Sequence, residues 1–348
     1  VKTFTVGYEK NPDVSELAYA RIVAEQFKTD HHELILHPSN LMDIVSQVVW
    51  HLEEPIAEYA TIPLMLLSKL AKEHVTVMLS GEGADEIFAG YPIYRIMNGI
   101  GKYQKIPATL RNAIFQPLIS AFLGNKREGK YVDWLTSPLE KRYLGNGSYF
   151  TKSMREKLYS PGFREKVDTD EVLDRILGYY RKVSHKDPIS QMLYLDTKTW
   201  LPEDLLIKAD KMTMAASLEL RVPFLDHEMV ELATSLPTAM KATMGQSKFI
   251  LKKYAEELLP HKIVYRKKRG FPVPVKQWLR GELNDVAREV LLDQRSRSRG
   301  LFNGDYVERL FHRHSESTDD LSKNIWNLLI LEVWFRIFED GEVPCLTN

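Results

Sequence analysis

Val77-Met78-Leu79-Ser80-Gly81-Glu82-Gly83-Ala84-Asp85-Glu86-Ile87-Phe88-Ala89-Gly90-Tyr91 is the stretch from which the chain is best read. An apolar run, Val75 to Leu79, stops at Ser80. Two glycines follow with a carboxylate between them, and Ala84 to Phe88 has the pattern of a short helix. The string therefore predicts a strand, a tight turn and a helix start. Such a turn aims backbone N–H groups at an anion beyond the strand end. Gly81 and Gly83 let the backbone approach a ligand that a Cβ would block. Glu82 and Asp85 place two carboxylates on the same rim. Negative charge does not serve a plain anion cradle, but it does serve a site that handles magnesium-bound phosphates or moves a proton. The plainer reading is a glycine turn with acidic residues in a first helical turn, where the helix dipole favours them.

Upstream of this turn, Lys2-Thr3-Phe4-Thr5-Val6 is short and β-rich. Asp13 is an expected N-cap with Glu16 as its capping partner. Leu17, Ala20, Val23, Ala24 and Phe27 then recur at helical spacing, and His32 to Leu36 reads as a second strand. Strand, helix and strand in that compass make a βαβ unit with parallel pairing. Helices are expected from about Asn40 to Trp50 and from Thr61 to Lys72, before the strand Val75 to Leu79. The alternation predicts a doubly wound parallel α/β sheet, whose ligands lie beyond the strand C-termini, where Gly7 and Ser80 both fall. His31 and His32, with no third ligand nearby, read as a surface turn and a strand entry rather than a metal pair.

The 348 residues suffice for one large domain or two modest ones. Charged residues are 27% and apolar residues 44%, the balance of an ordinary globular protein. Lys+Arg and Asp+Glu are 47 each, which removes any general argument for nucleic acid or membrane binding. The lone cysteine, Cys345, excludes an internal disulfide and a cysteine-based zinc cluster, and suits a reducing cytoplasm. No apolar run approaches a membrane span. The first residue is Val1, and Lys2 already leads into a strand, so the chain is expected to begin within a domain.

After Tyr91 helical patterns dominate, interrupted by the charged loop Gly124 to Lys130, by Ser160-Pro161-Gly162 and by Asp187-Pro188. Asp319 to Phe338 reads as a long apolar packing helix. Two stretches carry chemistry. In Leu201 to Met212, Pro202 precedes a helix whose first turn holds Glu203 and Asp204, and Asp204 and Lys208 share a face at i,i+4. It continues to Arg221-Val222-Pro223-Phe224-Leu225-Asp226, where Asp226 is expected to cap a helix from Glu228 to Ser235 and Arg221 to anchor the turn to a carboxylate. The other is Tyr265-Arg266-Lys267-Lys268-Arg269-Gly270-Phe271-Pro272-Val273-Pro274. Four consecutive cations ordinarily mark a solvated loop or a polyanion patch, but Gly-Phe-Pro and Trp278-Leu279 are expected to hold this loop against the body.

The first stretch resembles the Ser-Gly-Glu-Gly-x-Asp-Glu-x-Phe-x-Gly-Tyr signature of the asparagine synthetase family, in its synthetase domain, with Ala89 where glycine is commoner. Arg221 to Asp226 and Arg266 to Phe271 resemble two further strings of that family, in family order. Phe4-Thr5-Val6-Gly7-Tyr8 resembles the strand under the adenine of ATP. The likeness runs from about Val1 to at least Leu279. It implies a doubly wound parallel sheet of the adenine nucleotide alpha-hydrolase (PP-loop) type. Residues 1–91 would be an incomplete nucleotide-binding core. Residues 92–348 would be the mostly helical remainder, carrying the segments 202–226 and 265–274.

The resemblance also implies a reaction with ATP and Mg2+ as cofactors. A carboxylate, most simply aspartate, attacks the α-phosphorus of ATP, giving an acyl-adenylate and pyrophosphate; ammonia from glutamine then displaces AMP. By that match Val6, Ser80 and Gly81 hold the nucleotide, Glu82 takes a proton from the ammonia nitrogen, Asp85 holds Mg2+ and pyrophosphate, and Lys268 stabilises charge in adenylation. Asp204 and Lys208 line the substrate pocket, with Lys208 where some relatives carry arginine, a residue not equivalent for carboxylate binding. Lys267 and Arg269 would flank the site, exposed. The family's Ser-Gly-Gly-x-Asp-Ser pyrophosphate loop has no counterpart here, and Gly99-Ile100-Gly101-Lys102 is not a Walker loop. The expectation is a fragment, inactive alone, of a cytoplasmic protein with an N-terminal glutaminase domain, a homodimer being one arrangement. Three alternatives stay open: another acceptor carboxylate, a non-catalytic homologue without the pyrophosphate loop, and a different nucleotide enzyme on a similar sheet. Relatives that close β-lactam rings carry tyrosine at the position of Glu82, so Glu82 favours ammonia as the nucleophile.

Overall fold

The computed structural model describes residues 1–8, 15–36, 41–110, 134–147, 149–268, 270–316 and 319–344. Asp13, the loop Gly124 to Lys130, Arg269 and Cys345 lie outside the described residues. The βαβ unit is present. Strand β1 (Lys2–Tyr8) pairs in parallel with β2 (Asp30–Leu36), from Lys2 opposite Asp30 to Tyr8 opposite Leu36. Helix α1 (Leu17–Phe27) makes the crossover and stops at Lys28, whose left-handed φ of 50° turns the chain back toward β2. Helices α2 (Leu41–Leu52) and α3 (Thr61–Lys72) follow where their apolar periodicity placed them.

The central strand is shorter than its apolar run. β3 (Val77–Leu79) pairs in parallel with β4 (Glu219–Arg221), which offers only three residues. The amide of Ser80 extends the ladder to the carbonyl of Arg221 at 2.9 Å. Among the described residues the strands form two separate parallel pairs, β1–β2 and β3–β4, rather than one continuous doubly wound sheet. Among the described residues each strand has one ladder neighbour, so β1 and β3 each keep an edge without a described ladder partner.

The largest core draws on both ends of the chain. Val45, Val48 and Leu52 of α2 and Met65 of α3 pack with Met212, Trp278, Phe311, Trp326 and Leu329. Full burial of such a side chain contributes about 1.5–3 kcal/mol, so the later helices hold the βαβ unit in place. A second core joins Tyr94 and Met97 of α5 (Pro92–Gln104) to Tyr143, Met192 and Leu195. Between α3 and α5 lies α4 (Ala84–Ile87), whose Ile87 packs in a third, smaller cluster with Phe88 and Ala233. The terminal helix Ser322–Trp334 is buried along most of its length, as a packing helix should be. Asp226 caps the helix His227–Ser235 by accepting from the Glu228 amide at 3.0 Å. Among the described residues no helix is long and apolar enough to cross a membrane.

Candidate functional site

The chain leaves β3 at Ser80 and turns. The Ser80 hydroxyl accepts from the Glu82 amide at 3.2 Å, and the Ser80 amide is already given to Arg221. Both groups expected to face a nucleotide therefore close the turn itself. A Cβ on Gly81 would meet nothing within 4 Å, so that backbone is open to approach. Gly83 serves packing instead. Its φ is 87°, and a Cβ there would lie 2.3 Å from Cδ2 of Leu225. Leu225 belongs to the Arg221–Asp226 string, so this close packing joins the two strings a second time, beside the Ser80–Arg221 hydrogen bond. Arg221 pairs with Glu219 at 2.8 Å on the surface.

Glu82 and Asp85 leave this turn toward different lysines. Glu82 Oε1 meets Nζ of Lys208 at 3.1 Å, and Lys208 is 5% exposed. Oε2 of Glu82 is buried with no partner among the described residues. Asp85 is held from both sides, by Lys248 at 3.0 Å on Oδ1 and by Lys268 at 2.9 Å on Oδ2. Burial works against the Asp85 charge, but the two ammonium groups outweigh it and hold the carboxyl below its usual range. Lys248 is depressed, by burial first and by the nearby Lys268 charge, against the pull of Asp85. Gly90 is essential to this grouping: a Cβ there would stand 1.7 Å from Oδ1 of Asp85. Just before it, Ala89 takes a left-handed φ of 56° while fully buried. That is the physical reason glycine suits the position better.

Asp204 and Lys208 are not ion-paired. Leu201–Leu206 winds as a π turn, which shifts Asp204 off the i,i+4 register and leaves Lys208 to Glu82. Oδ1 of Asp204 is buried without a partner among the described residues. Its carboxyl is pushed up to about 7, by burial and then by the charge of Glu58, with Lys208 opposing. Ile56, Glu58, Tyr149 and Asp204 line a cavity of about 200 Å3. Val6 is buried in β1 opposite Leu34 and is joined to neither group by a hydrogen bond. In the basic loop, Arg266 pairs with Glu16, Lys267 is exposed and Lys268 turns in to Asp85. Lys211 ties its helix to the Leu52 carbonyl at 2.9 Å, a structural contact.

Three participants escaped the sequence reading. Lys248 belongs to no motif, and its one signal is a cation just ahead of the helix Phe249–Ala255, where the helix dipole disfavours it. Glu58 is brought to Asp204 only by folding. Glu86, 1% exposed, accepts from the hydroxyl of Tyr91 at 2.5 Å, and burial raises its carboxyl above the usual range. Chemically, one turn presents a carboxylate with a free oxygen beside one cation, and a second carboxylate between two cations. That set can accept a proton at the first station and steady a phosphate-bearing leaving group at the second.

Comparison with known proteins points the same way. The chain is 37% identical over 343 residues to asparagine synthetase [glutamine-hydrolyzing] 1 of Bacillus subtilis (strain 168), covering 97% of this chain and 52% of that protein. It is 37% identical over 350 residues to a putative asparagine synthetase [glutamine-hydrolyzing] of Mycobacterium tuberculosis (strain ATCC 25618 / H37Rv), covering 99% and 52%. A more distant relative, amidase chyE of Penicillium rubens, is 22% identical over 366 residues, covering 99% and 54%. The chain thus spans about half the length of the curated relatives it matches. The family model described as asparagine synthase matches residues 1–336, and the chain belongs to that family, as its synthetase domain.

Proposed function

We propose that this chain is the synthetase part of an ATP-dependent ligase that converts aspartate to asparagine through an acyl-adenylate, releasing AMP and pyrophosphate. One observation carries the reading: Glu82 and Asp85, on one turn, each meet a lysine from a segment far away in sequence. Adenylation is needed because hydroxide leaves poorly and AMP leaves well. In the first step a substrate carboxylate oxygen bonds to the α-phosphorus and the pyrophosphate bond breaks. Lys268 and Lys248 stabilise the charge that collects on the departing oxygens. In the second step ammonia adds to the acyl carbon, AMP departs, and the free Oε2 of Glu82 takes the nitrogen's proton. Lys208, 3.1 Å from Oε1, holds the Glu82 carboxylate in place and leaves Oε2 to the nitrogen.

Asp85 is the residue to hold Mg2+. A single carboxylate suits an ion that takes its other ligands from phosphates and water, and no described group of three or more His, Cys, Asp or Glu side chains offers a full cage. When bound, the ion would neutralise phosphate charge. At the nucleotide end Gly81 offers the open backbone, Ser80 shapes the turn that presents it, and Val6 lies at the buried end of β1. We place residues 1–91 as the nucleotide-binding core and residues 92–348 as the remainder of the same synthetase unit. The finer fold we propose is a doubly wound sheet in which a further strand joins the two pairs and carries the phosphate loop. The protein would work in the cytoplasm, as a homodimer, with ammonia supplied by a glutaminase domain. Amidation of a different carboxylate is a second reading, favoured by Lys208, a lysine already engaged by Glu82 where an arginine fork would grip a substrate carboxylate better.

The test is pyrophosphate release and amide formation by the full-length protein, given ATP, ammonia and a panel of carboxylates. Glu82→Gln is expected to retain pyrophosphate release with aspartate while amide formation falls about a hundredfold or more. Undiminished amide formation would remove Glu82 from its role, and preference for another acid would move the second reading to first place.

A further inference from the structure

Lys268 lies in a stretch without regular secondary structure, yet it must present its ammonium at one point. Asp85 cannot be the whole of its support, because on the reading above Asp85 turns to metal and pyrophosphate during the reaction. The other group beneath Lys268 is the ring of Tyr91, whose centroid lies 5.8 Å from Nζ. An ammonium over an aromatic face is attracted by the ring quadrupole. The ring is itself immobilised. Its hydroxyl donates to Glu86 at 2.5 Å. Its edge meets Tyr94 with centroids 5.7 Å apart, and Tyr94 is fully buried with its hydroxyl 2.5 Å from Asp196.

We propose that Tyr91, locked by Glu86, is a positioning residue for Lys268: it forms the fixed floor on which that ammonium stays when Asp85 lets go. This rests on the assignment of Lys268 to adenylation. The geometry explains why a carboxylate is buried at Glu86 with a tyrosine hydroxyl as its hydrogen-bond donor: its work is to fix a ring, and the ring's work is to fix a cation. Neither Tyr91 nor Glu86 has to touch a substrate.

Two readouts keep the inference separate from that assignment. Lysines of the full-length protein are methylated with a 13C label, and the Lys268 resonance is identified by its loss in Lys268→Arg. It is expected upfield of the exposed lysines through the ring current of Tyr91, to return to their position in Tyr91→Leu, and to move part of the way in Glu86→Gln. In parallel, Tyr91→Leu is expected to lower kcat for pyrophosphate release about ten- to a hundredfold with the KM for ATP unchanged. Tyr91→Phe, which keeps the ring but loses the bond to Glu86, should restore part of that rate. A Lys268 resonance unmoved by both Tyr91→Leu and Glu86→Gln would overturn the proposal, as would equal losses in Tyr91→Phe and Tyr91→Leu. Should Tyr91→Leu not fold, the Glu86→Gln spectrum and the Tyr91→Phe rate decide alone. A full rate in Lys268→Ala would instead strike the adenylation assignment and leave the positioning contact to the spectrum.

Discussion

Glu332 and Asp85 are each gripped by two cations, and they are built for different ends. Glu332, 4% exposed on the terminal helix, is held by arginines: Arg299 Nε lies 2.8 Å from one oxygen and Arg336 Nε 3.1 Å from the other. Those arginines go on to Asp340 at 2.5 Å and Asp293 at 2.7 Å, so that every charge is shared. Asp85 is held by lysines, point charges on long stems, one of them on a loop. Arginine forks saturate a carboxylate and fix its plane, whereas lysines neutralise it as point charges and leave it free to turn to another partner. The first arrangement is a joint, and the second is a latch that a metal or phosphate can open.

The difference is open to direct attack. Glu332→Ala leaves two arginines inside with half their partners and is expected to lower unfolding stability by about 3 kcal/mol, read as the urea midpoint. Asp85→Asn is expected to do the reverse. Pyrophosphate release from the full-length protein should fall about a hundredfold, while stability falls less than in Glu332→Ala, because Lys268 keeps the ring of Tyr91 and both lysines are more exposed than Glu332. If Asp85→Asn unfolds the protein as readily as Glu332→Ala does, the contrast between joint and latch is wrong.

Asp204 supplies the control, a buried acid with no cation at ion-pair distance among the described residues. Its folded value near 7 lies above the ordinary carboxyl value. Between about pH 4 and 7 the folded chain therefore holds more protons than the unfolded chain, and stability falls as pH rises through that window. Asp204→Asn should raise stability at pH 7 by on the order of 1–3 kcal/mol, with the gain vanishing near pH 4. A gain that persists at pH 4 would show that charge is not its cause. The smallest effect belongs to the backbone of the latch. Ala89→Gly should stabilise by about 0.5–1 kcal/mol, as relief of the left-handed Ala89 outweighs lost chain stiffness. A destabilised variant would mean that the buried methyl matters more.

What was legible in the sequence was local. The βαβ unit, α3 from Thr61 to Lys72 and the Asp226 cap each follow from spacing or from one side chain next to its own amides. What was hidden is made by distant segments. β3 is cut to three residues because β4 offers no more. Lys248 reaches Asp85 with no pattern to announce it, and Glu58 unsettles Asp204 from another helix connection. The site turn is legible as a whole string, but the string does not separate the work of its glycines. Gly83 answers to Leu225 and Gly90 to the Asp85 carboxylate, whereas Gly81 alone keeps the open approach expected of both turn glycines. The π turn at Leu201 also defeated a spacing argument that assumed an ordinary helix.

The two parallel pairs bear on how the polypeptide behaves in a tube. Among the described residues β1 and β3 each have one edge with no ladder neighbour, and such an edge is a template for another strand; Leu79, 67% exposed, sits in β3. Whatever packs along those edges therefore bears on solubility as well as on shape, since an edge left bare invites a second copy to pair with it.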